Sequence, residues 1–193
     1  MRKIFAGSGL LFLALCAWGS QMRNRGIASA PITIDVYSDF QCPACKVLHD
    51  RTIAPLLSDY VDRGKVYLVN HEYPLPMHAH ALEAAYYACA ASRLGKYAQV
   101  SDVLFRTQET WANNGKVDET VCSVLSADEA KKVRALAKDP AIAAEVKQDI
   151  QAGQSAQVNQ TPTMILTYKA KQYRLPGGNY EILRRFLDQL LAN

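Results

Sequence analysis

The chain has little surplus charge outside its N-terminus. Four of its 22 Lys and Arg residues, Arg2, Lys3, Arg23 and Arg25, lie in 1–30 with no acid beside them, leaving 18 against 18 Asp and Glu in 31–193. A neutral body offers no counterion-release drive, so nucleic acid falls away as a partner. Histidine is scarce too: His49, His71, His78 and His80 are the whole set, and none forms the H-x3–5-H pair of a zinc site. No internal repeat or low-complexity tract is present, and beyond the N-terminus no segment is apolar enough to span a bilayer. Cysteine is limited to five, at 16, 42, 45, 89 and 122.

What is present is enough for one well-filled core with room for an inserted subdomain: 193 residues, 49% hydrophobic. Residues 1–30 read as a signal peptide or membrane anchor. Arg2 and Lys3 precede an apolar run over 4–18, short of the roughly 20 residues of a spanning helix. Small residues offer cleavage sites at Ala17-Trp18-Gly19 and at Ala28-Ser29-Ala30, while Leu15 is too large for a lipidated Cys16. A retained anchor is the alternative. Each version puts the body outside the cytoplasm, in the periplasm or another extracytoplasmic space, where disulfides persist. Four body cysteines allow three connectivities, and their spacing favours Cys42 with Cys45 and Cys89 with Cys122.

The patterning runs β-α-β, then helices, then β-β-α. "PITIDVYS" (31–38) and "KVYLVNHEY" (65–73) read as strands. Between them lies a helix with Pro55 inside it, which should kink or split it, and Gly64 at its end. A β-α-β unit of this length implies parallel strands. From about Leu75 to Gln157 the chain reads as helices: "HALEAAYYACAASRL", "YAQVSDVLFRTQETW", a short segment capped by Asp118, one opened by the capping box "SADE", and one begun by Asp139-Pro140. The aromatics Tyr86, Tyr87, Tyr97, Phe105 and Trp111 suit the core of that insertion. "TMILTY" and "KQYRL" restore strand character, Gly177-Gly178 makes a turn, and "YEILRRFLDQLL" is a closing amphipathic helix.

The stretch "DFQCPACKVLH" (39–49) carries the chemistry. Its C-x-x-C can be half a zinc site, a static disulfide or a redox pair. A disulfide closing so short a ring is reducible rather than a useful staple, and zinc lacks further paired ligands. Placement at a strand-to-helix junction, with Pro43 in the first helical turn, favours redox use. Helix N-terminal N–H groups stabilise a thiolate, so Cys42 is the attacking sulfur and Cys45, a turn further in, the resolving one. A Cys89–Cys122 bridge is then structural, worth about 2–4 kcal/mol. His49 shares the cysteine side of the helix and suits either thiolate contact or the surface, while His78 and His80 suit the start of the insertion. "QTPT" (160–163) opens a strand with a proline, where the missing N–H falls at the edge of the ladder.

Together these residues resemble the DsbA-like thioredoxin-fold thiol–disulfide oxidoreductases across nearly all of 31–193. The resemblance rests on "SDFQCPAC", "GKVYLVNHEYPLPMH", "ACAASRLGKYAQVSDVLFRTQ" and "QTPTMIL" in order and spacing. It implies an α/β, thioredoxin-like fold with an inserted helical subdomain: the fold in 31–75 and 159–193, the insertion in 76–158. It implies Cys42 and Cys45 as the redox pair and Pro162 as a cis-proline packed over them. Thr161, Pro43 and Ala44 are then the residues that meet substrate, with the Thr161 backbone pairing to a substrate strand. Thiol-containing protein substrates, a membrane quinone-linked partner and a monomer follow, with no metal or other cofactor; isomerases of the family type carry an extra dimerisation domain, for which no residues remain here. Two departures bear on mechanism. Val36 stands where many relatives carry a buried acid, and alternation turns the neighbouring Asp35 to the opposite face. Ala44 stands where strongly oxidising members often have histidine, so Cys42 should be less acidic than in such a motif. These departures leave a disulfide reductase open beside the dithiol oxidase, and a non-catalytic thioredoxin-like binding module is the alternative from another class.

Overall fold

The computed structural model describes residues 23–175 and 179–192. The apolar leader, Cys16 and the Gly177-Gly178 turn lie outside the described residues. Four strands form one sheet in the order β2-β1-β3-β4: β1 (Ile32–Ser38), β2 (Val66–Glu72), β3 (Thr163–Tyr168) and β4 (Lys171–Leu175). β1 and β2 are parallel, with Ile32 opposite Val66 and Ser38 opposite Glu72. β3 runs antiparallel to β1, and β4 antiparallel to β3. The parallel pair needs a crossover, which the helical run over 43–61 (α1) supplies.

Pro55 does not split α1. The run passes through α-helical Pro43–Leu48, π-helical His49–Ile53, α-helical Ala54–Leu56 and π-helical Leu57–Val61. A proline removes one N–H donor and crowds the carbonyl four residues back, and wide π turns are a known means of absorbing such a defect within a helix.

Between β2 and β3 lie six helices: α2 (Ala81–Ser92), α3 (Tyr97–Arg106), α4 (Gln108–Asn114), α5 (Val117–Cys122), α6 (Ala127–Leu136) and α7 (Pro140–Ser155). The chain closes with α8 (Tyr180–Leu191). Caps behave as expected at Ser126/Glu129, which form a reciprocal capping box, and at Asp139, which accepts from Ala141 N. Two expectations are corrected. Lys116, not Asp118, sits at the N-cap of α5; the Asp118 carboxylate is drawn away to the Tyr87 hydroxyl and the Arg134 guanidinium. The single helix expected over 97–111 breaks at Thr107, whose hydroxyl donates back to the Val103 carbonyl, a bond that competes with helix continuation.

α1 and α8 cover one face of the sheet, where Leu48, Leu56 and Leu187 pack on Ile34, Val36, Leu68 and Leu166. α7 covers part of the other face, approaching so closely that Gly153 lies against the Tyr37 and Tyr73 rings. The insertion has its own core around Trp111, Leu104 and Val100, and that core also contains Phe40, Cys42 and Cys45. Residues 23–30, assigned to the leader from sequence, reach the body: Arg25 bridges Leu68 across the free edge of β2, and the Arg23 side chain is 7% exposed. Among the described residues no helix is long and apolar enough to cross a membrane.

Candidate active site at the Cys42–Cys45 pair

The turn between β1 and α1 is built around Asp39, which is fully buried. Its Oδ1 accepts from Gln41 N at 2.7 Å, a local turn bond that a short acidic side chain favours. Its Oδ2 accepts from Leu75 N at 2.8 Å and meets His78 Nδ1 at 2.7 Å. His78, expected only to open the insertion, therefore ties that segment to the cysteine turn. Gln108 donates to the Phe40 and Cys42 carbonyls at 2.6 and 3.0 Å, so the break at Thr107 brings the first residue of α4 onto the turn. Cys42 holds the N-cap position of α1 in extended conformation, with Pro43 first in the helix.

The two sulfurs differ sharply. Cys42 is 7% exposed, and its neighbours Pro43, Ala44 and Val47 face solvent. Its thiol is lowered to about 5, first by hydrogen bonding with the Cys45 side chain, then by the Thr161 side chain and the backbone N–H groups of Cys45 and Ala44, against burial. Ala44 thus contributes a backbone donor and no side-chain charge. Cys45 is 1% exposed, and burial drives its thiol far above the ordinary range, reinforced by its bond to Cys42. The Asp39 N–H, 3.4 Å away, and the Ser38 side chain oppose that rise. One sulfur is a ready thiolate at neutral pH, while the other holds its proton.

Across the pair, the Thr161–Pro162 peptide is cis and the Thr161 carbonyl oxygen lies 3.4 Å from Cys42 Sγ. The Thr161 hydroxyl is buried, and apart from the Cys42 sulfur it has no hydrogen-bond partner. Beyond Pro162 a groove of about 970 Å³ runs to β4, walled by Gln157, Asn159, Gln160 and Arg174.

Around the end of β2 lies a polar cluster that no motif marks, with Glu72 and Tyr97 on the Cys45 side. Glu72, 2% exposed, accepts from the Tyr97 hydroxyl at 2.8 Å. Arg23 clasps Asp149 through both terminal nitrogens at 2.7 and 3.3 Å. His71 spans Asp149 and Asp35 at 3.0 and 2.9 Å. Burial opposes its charge, but these two hydrogen bonds outweigh burial and hold His71 at about 9. The signal was legible in β2: alternation places Asn70 and Glu72 on the inward face with Val66 and Leu68, where a carboxylate is rare.

The structure does not bring Cys89 and Cys122 together, which corrects the expected bridge. Cys89 is buried between α2 and α7 and accepts from Arg23 Nη1 at 3.3 Å. Cys122 lies 3.5 Å from Asp118, the acceptor of the Tyr87 hydroxyl. Tyr87 and Cys89 are two residues apart on α2, about 200° around its axis, so the face that meets Cys122 is not the face carrying Cys89. His49 turns from the thiolate: its ring packs on Phe105 and its nitrogens meet Asp50 and Asp102 at 3.2 and 3.0 Å. Among the described residues no group of three or more His, Cys, Asp and Glu is arranged to hold a metal ion.

Comparisons with known proteins agree with this geometry. The thioredoxin family model matches residues 20–188. The crystal structure of α-DsbA1 from Wolbachia pipientis superposes with a TM-score of 0.75 at 18% identity, covering 88% of this chain and 90% of that one. DsbA2 from Pseudomonas aeruginosa gives 0.70 at 26% identity, over 88% and 93%. A probable disulfide bond formation protein D from Bacillus cereus is 33% identical over 55 residues, 28% of this chain and 26% of that protein, so the match spans about a quarter of that relative's length. The chain belongs to the thioredoxin family, among its DsbA-like thiol–disulfide oxidoreductases.

Proposed function

We propose that the protein is an extracytoplasmic dithiol oxidase of protein substrates, working through Cys42 and Cys45. A substrate thiolate attacks Cys42 Sγ, the Cys42–Cys45 bond breaks, and its electron pair passes to Cys45, which takes up a proton. The substrate's second thiol, losing its proton, then attacks the mixed disulfide, closing the substrate disulfide and releasing Cys42 as a thiolate. Two electrons have moved from substrate to enzyme, and a membrane quinone-linked partner would remove them.

The observation that supports the oxidising direction is the set of donors around Cys42, the Cys45 and Thr161 side chains and the Cys45 and Ala44 N–H groups, which draws its thiol down to about 5. A thiolate exists only in the reduced pair, so stabilising it favours reduction of the enzyme and oxidation of the substrate. Substrate binding is assigned to the surface around the pair. Exposed Pro43, Ala44 and Val47 flank Cys42, Pro162 closes the opposite side, and the polar groove beyond it suits an extended polypeptide whose backbone meets Thr161. The protein is assigned this role as a monomer.

The test is the Cys42–Cys45 reduction potential in glutathione buffer, together with trapping by Cys45→Ser. An oxidase lies toward the upper end of the range from roughly −270 to −120 mV, and the Ser variant accumulates a mixed disulfide through Cys42. A potential near the lower end assigns the protein to disulfide reduction instead. Failure to trap any thiol partner points to a non-catalytic module.

A further inference from the structure

Every turnover puts a proton on Cys45 or takes one from it, and this sulfur has almost no contact with solvent. Its proton must come from a group inside the protein or travel through a cavity. Both are present. Below the pair a small cavity of about 40 Å³ has Cys45, Ser38, Asn70, Glu72, Tyr97 and His49 among its lining, enough space for a water molecule. Ser38, whose side chain hydrogen-bonds the Cys45 sulfur, is the cross-strand partner of Glu72 in the parallel β1/β2 register. Glu72 therefore stands one strand across from the residue that touches Cys45, on the same inward face. A second cavity of about 150 Å³ shares His49, Asn70 and Tyr97 with the first and extends to the partly exposed Arg25 and Asp102.

The other carboxylates near the pair are committed or turned away. Asp39 is held by Gln41 N, Leu75 N and His78. Asp35 is bound to His71 on the opposite face of the sheet. Val36 fills the inward position two residues before Ser38 with an apolar side chain. His49 has Asp50 and Asp102 on its ring nitrogens.

We propose that Glu72 is the proton donor and acceptor for the Cys45 sulfur, acting across the cavity that both line, with the adjoining cavity as its route to solvent. When a substrate thiolate attacks Cys42, the electron pair of the broken S–S bond passes to Cys45, which takes the Glu72 proton. The resulting carboxylate is reprotonated from solvent. In the reverse direction the Glu72 carboxylate takes the Cys45 proton as Cys45 attacks Cys42 in a mixed disulfide. The Cys42–Cys45 bond forms and the partner leaves as its thiolate. The groups around Glu72 are Arg23 from the N-terminal segment, Cys45 on α1, Cys89 on α2, Tyr97 on α3, and Glu145 and Asp149 on α7. Burial raises the carboxyl to about 8, with Arg23 and Tyr97 pulling against it and Asp149 and Glu145 adding to it, so both protonation states are accessible near neutral pH.

The inference rests on Cys42 as the attacking and Cys45 as the resolving sulfur, and the experiment separates the two claims. The reduced protein is mixed with Ellman's reagent in a stopped flow across roughly pH 5 to 10, spanning the relevant titrations. The first phase reports attack by Cys42, and the second reports ring closure by Cys45. Cys45→Ser must abolish the second phase; if that phase persists, the resolving role fails and the inference with it. In the wild type the second phase rises with pH and levels near the Glu72 value. Glu72→Gln, which keeps the size and the Tyr97 bond, slows that phase about 100-fold at neutral pH and removes the levelling, while the first phase keeps its rate and pH profile. An unchanged second phase, or equal slowing of both, overturns the proposal. Should Glu72→Gln not fold, Tyr97→Phe decides: loss of its hydroxyl shifts the levelling upward in pH, and an unshifted profile overturns the proposal.

Discussion

Thr161→Val isolates one contribution to the Cys42 thiolate. The hydroxyl is buried with no partner besides the Cys42 sulfur, and the Thr161 side chain is among the groups that lower the Cys42 thiol to about 5 from an ordinary 9.0. At pH 7 only the two units below 7 count, because an unperturbed thiol would already be protonated there. The thiolate thus stabilises the reduced pair by about 2.7 kcal/mol, equivalent to about 60 mV for a two-electron couple. A hydrogen bond to a charged acceptor is worth roughly 1.5–3 kcal/mol, so its loss should raise Cys42 by at least about one unit. The reduced form then loses about 1.3 kcal/mol at pH 7 and the potential falls by about 30 mV. Valine also removes a buried hydroxyl that lacks a partner when no thiolate is present, so the oxidised protein should gain thermal stability. The assays are thiolate absorbance of the reduced protein against pH, the glutathione equilibrium, and melting of both redox forms. A Cys42 value unchanged or lowered in Thr161→Val would refute this account of the thiolate.

Three further outcomes are expected. His71 is held at about 9, above its unfolded value of 6.5, so its ion pairs stabilise the fold fully below pH 6.5 and lose that effect as pH rises through 9. Urea unfolding of wild type and His71→Gln should differ by about 3 kcal/mol more at pH 6 than at pH 10, and a pH-independent difference would count against the network. Gly153→Ala places a methyl against the Tyr73 ring, which its hydroxyl tethers to the Val158 carbonyl at 2.8 Å. Overpacking should outweigh the gain in helix propensity and destabilise by about 1–2 kcal/mol, and a higher urea midpoint would contradict it. In oxidised protein unfolded under non-reducing conditions, alkylation and mass spectrometry should label Cys89 and Cys122 and leave Cys42 and Cys45 unlabelled; protection of Cys89 and Cys122 would restore the bridge.

Much of the active site was legible in local sequence. A C-x-x-C after an alternating strand, with a proline inside the first helical turn, places a sulfur at a helix N-terminus whatever the rest of the chain does. The capping box at Ser126 and the cap at Asp139 follow the same local logic. Thr107 was misread because a helical apolar pattern runs through it, and only the back-bond to Val103 shows where the helix breaks. Of the two outcomes expected at Pro55, a kink or a split, the split does not occur, because π-helical turns carry the helix past it.

The chain order of strands and helices, the cysteine pair at a helix start and a proline opening β3 are properties of sequence, since each depends on residues within a turn or two of one another; that the proline's loop meets Cys42 from 119 positions away is tertiary. What surrounds the pair was decided by tertiary structure. Arg23 meets Asp149 across 126 positions, which makes a stretch assigned to the leader part of the buried body. Glu72 reaches the Cys45 cavity because β2 pairs with β1 in a register that sets it opposite Ser38. Cys89 and Cys122 stay apart because of the rotational phase of one helix. Register, helix phase and long-range charge pairing arise only when distant segments pack, and in this protein they set the environment in which the resolving sulfur works.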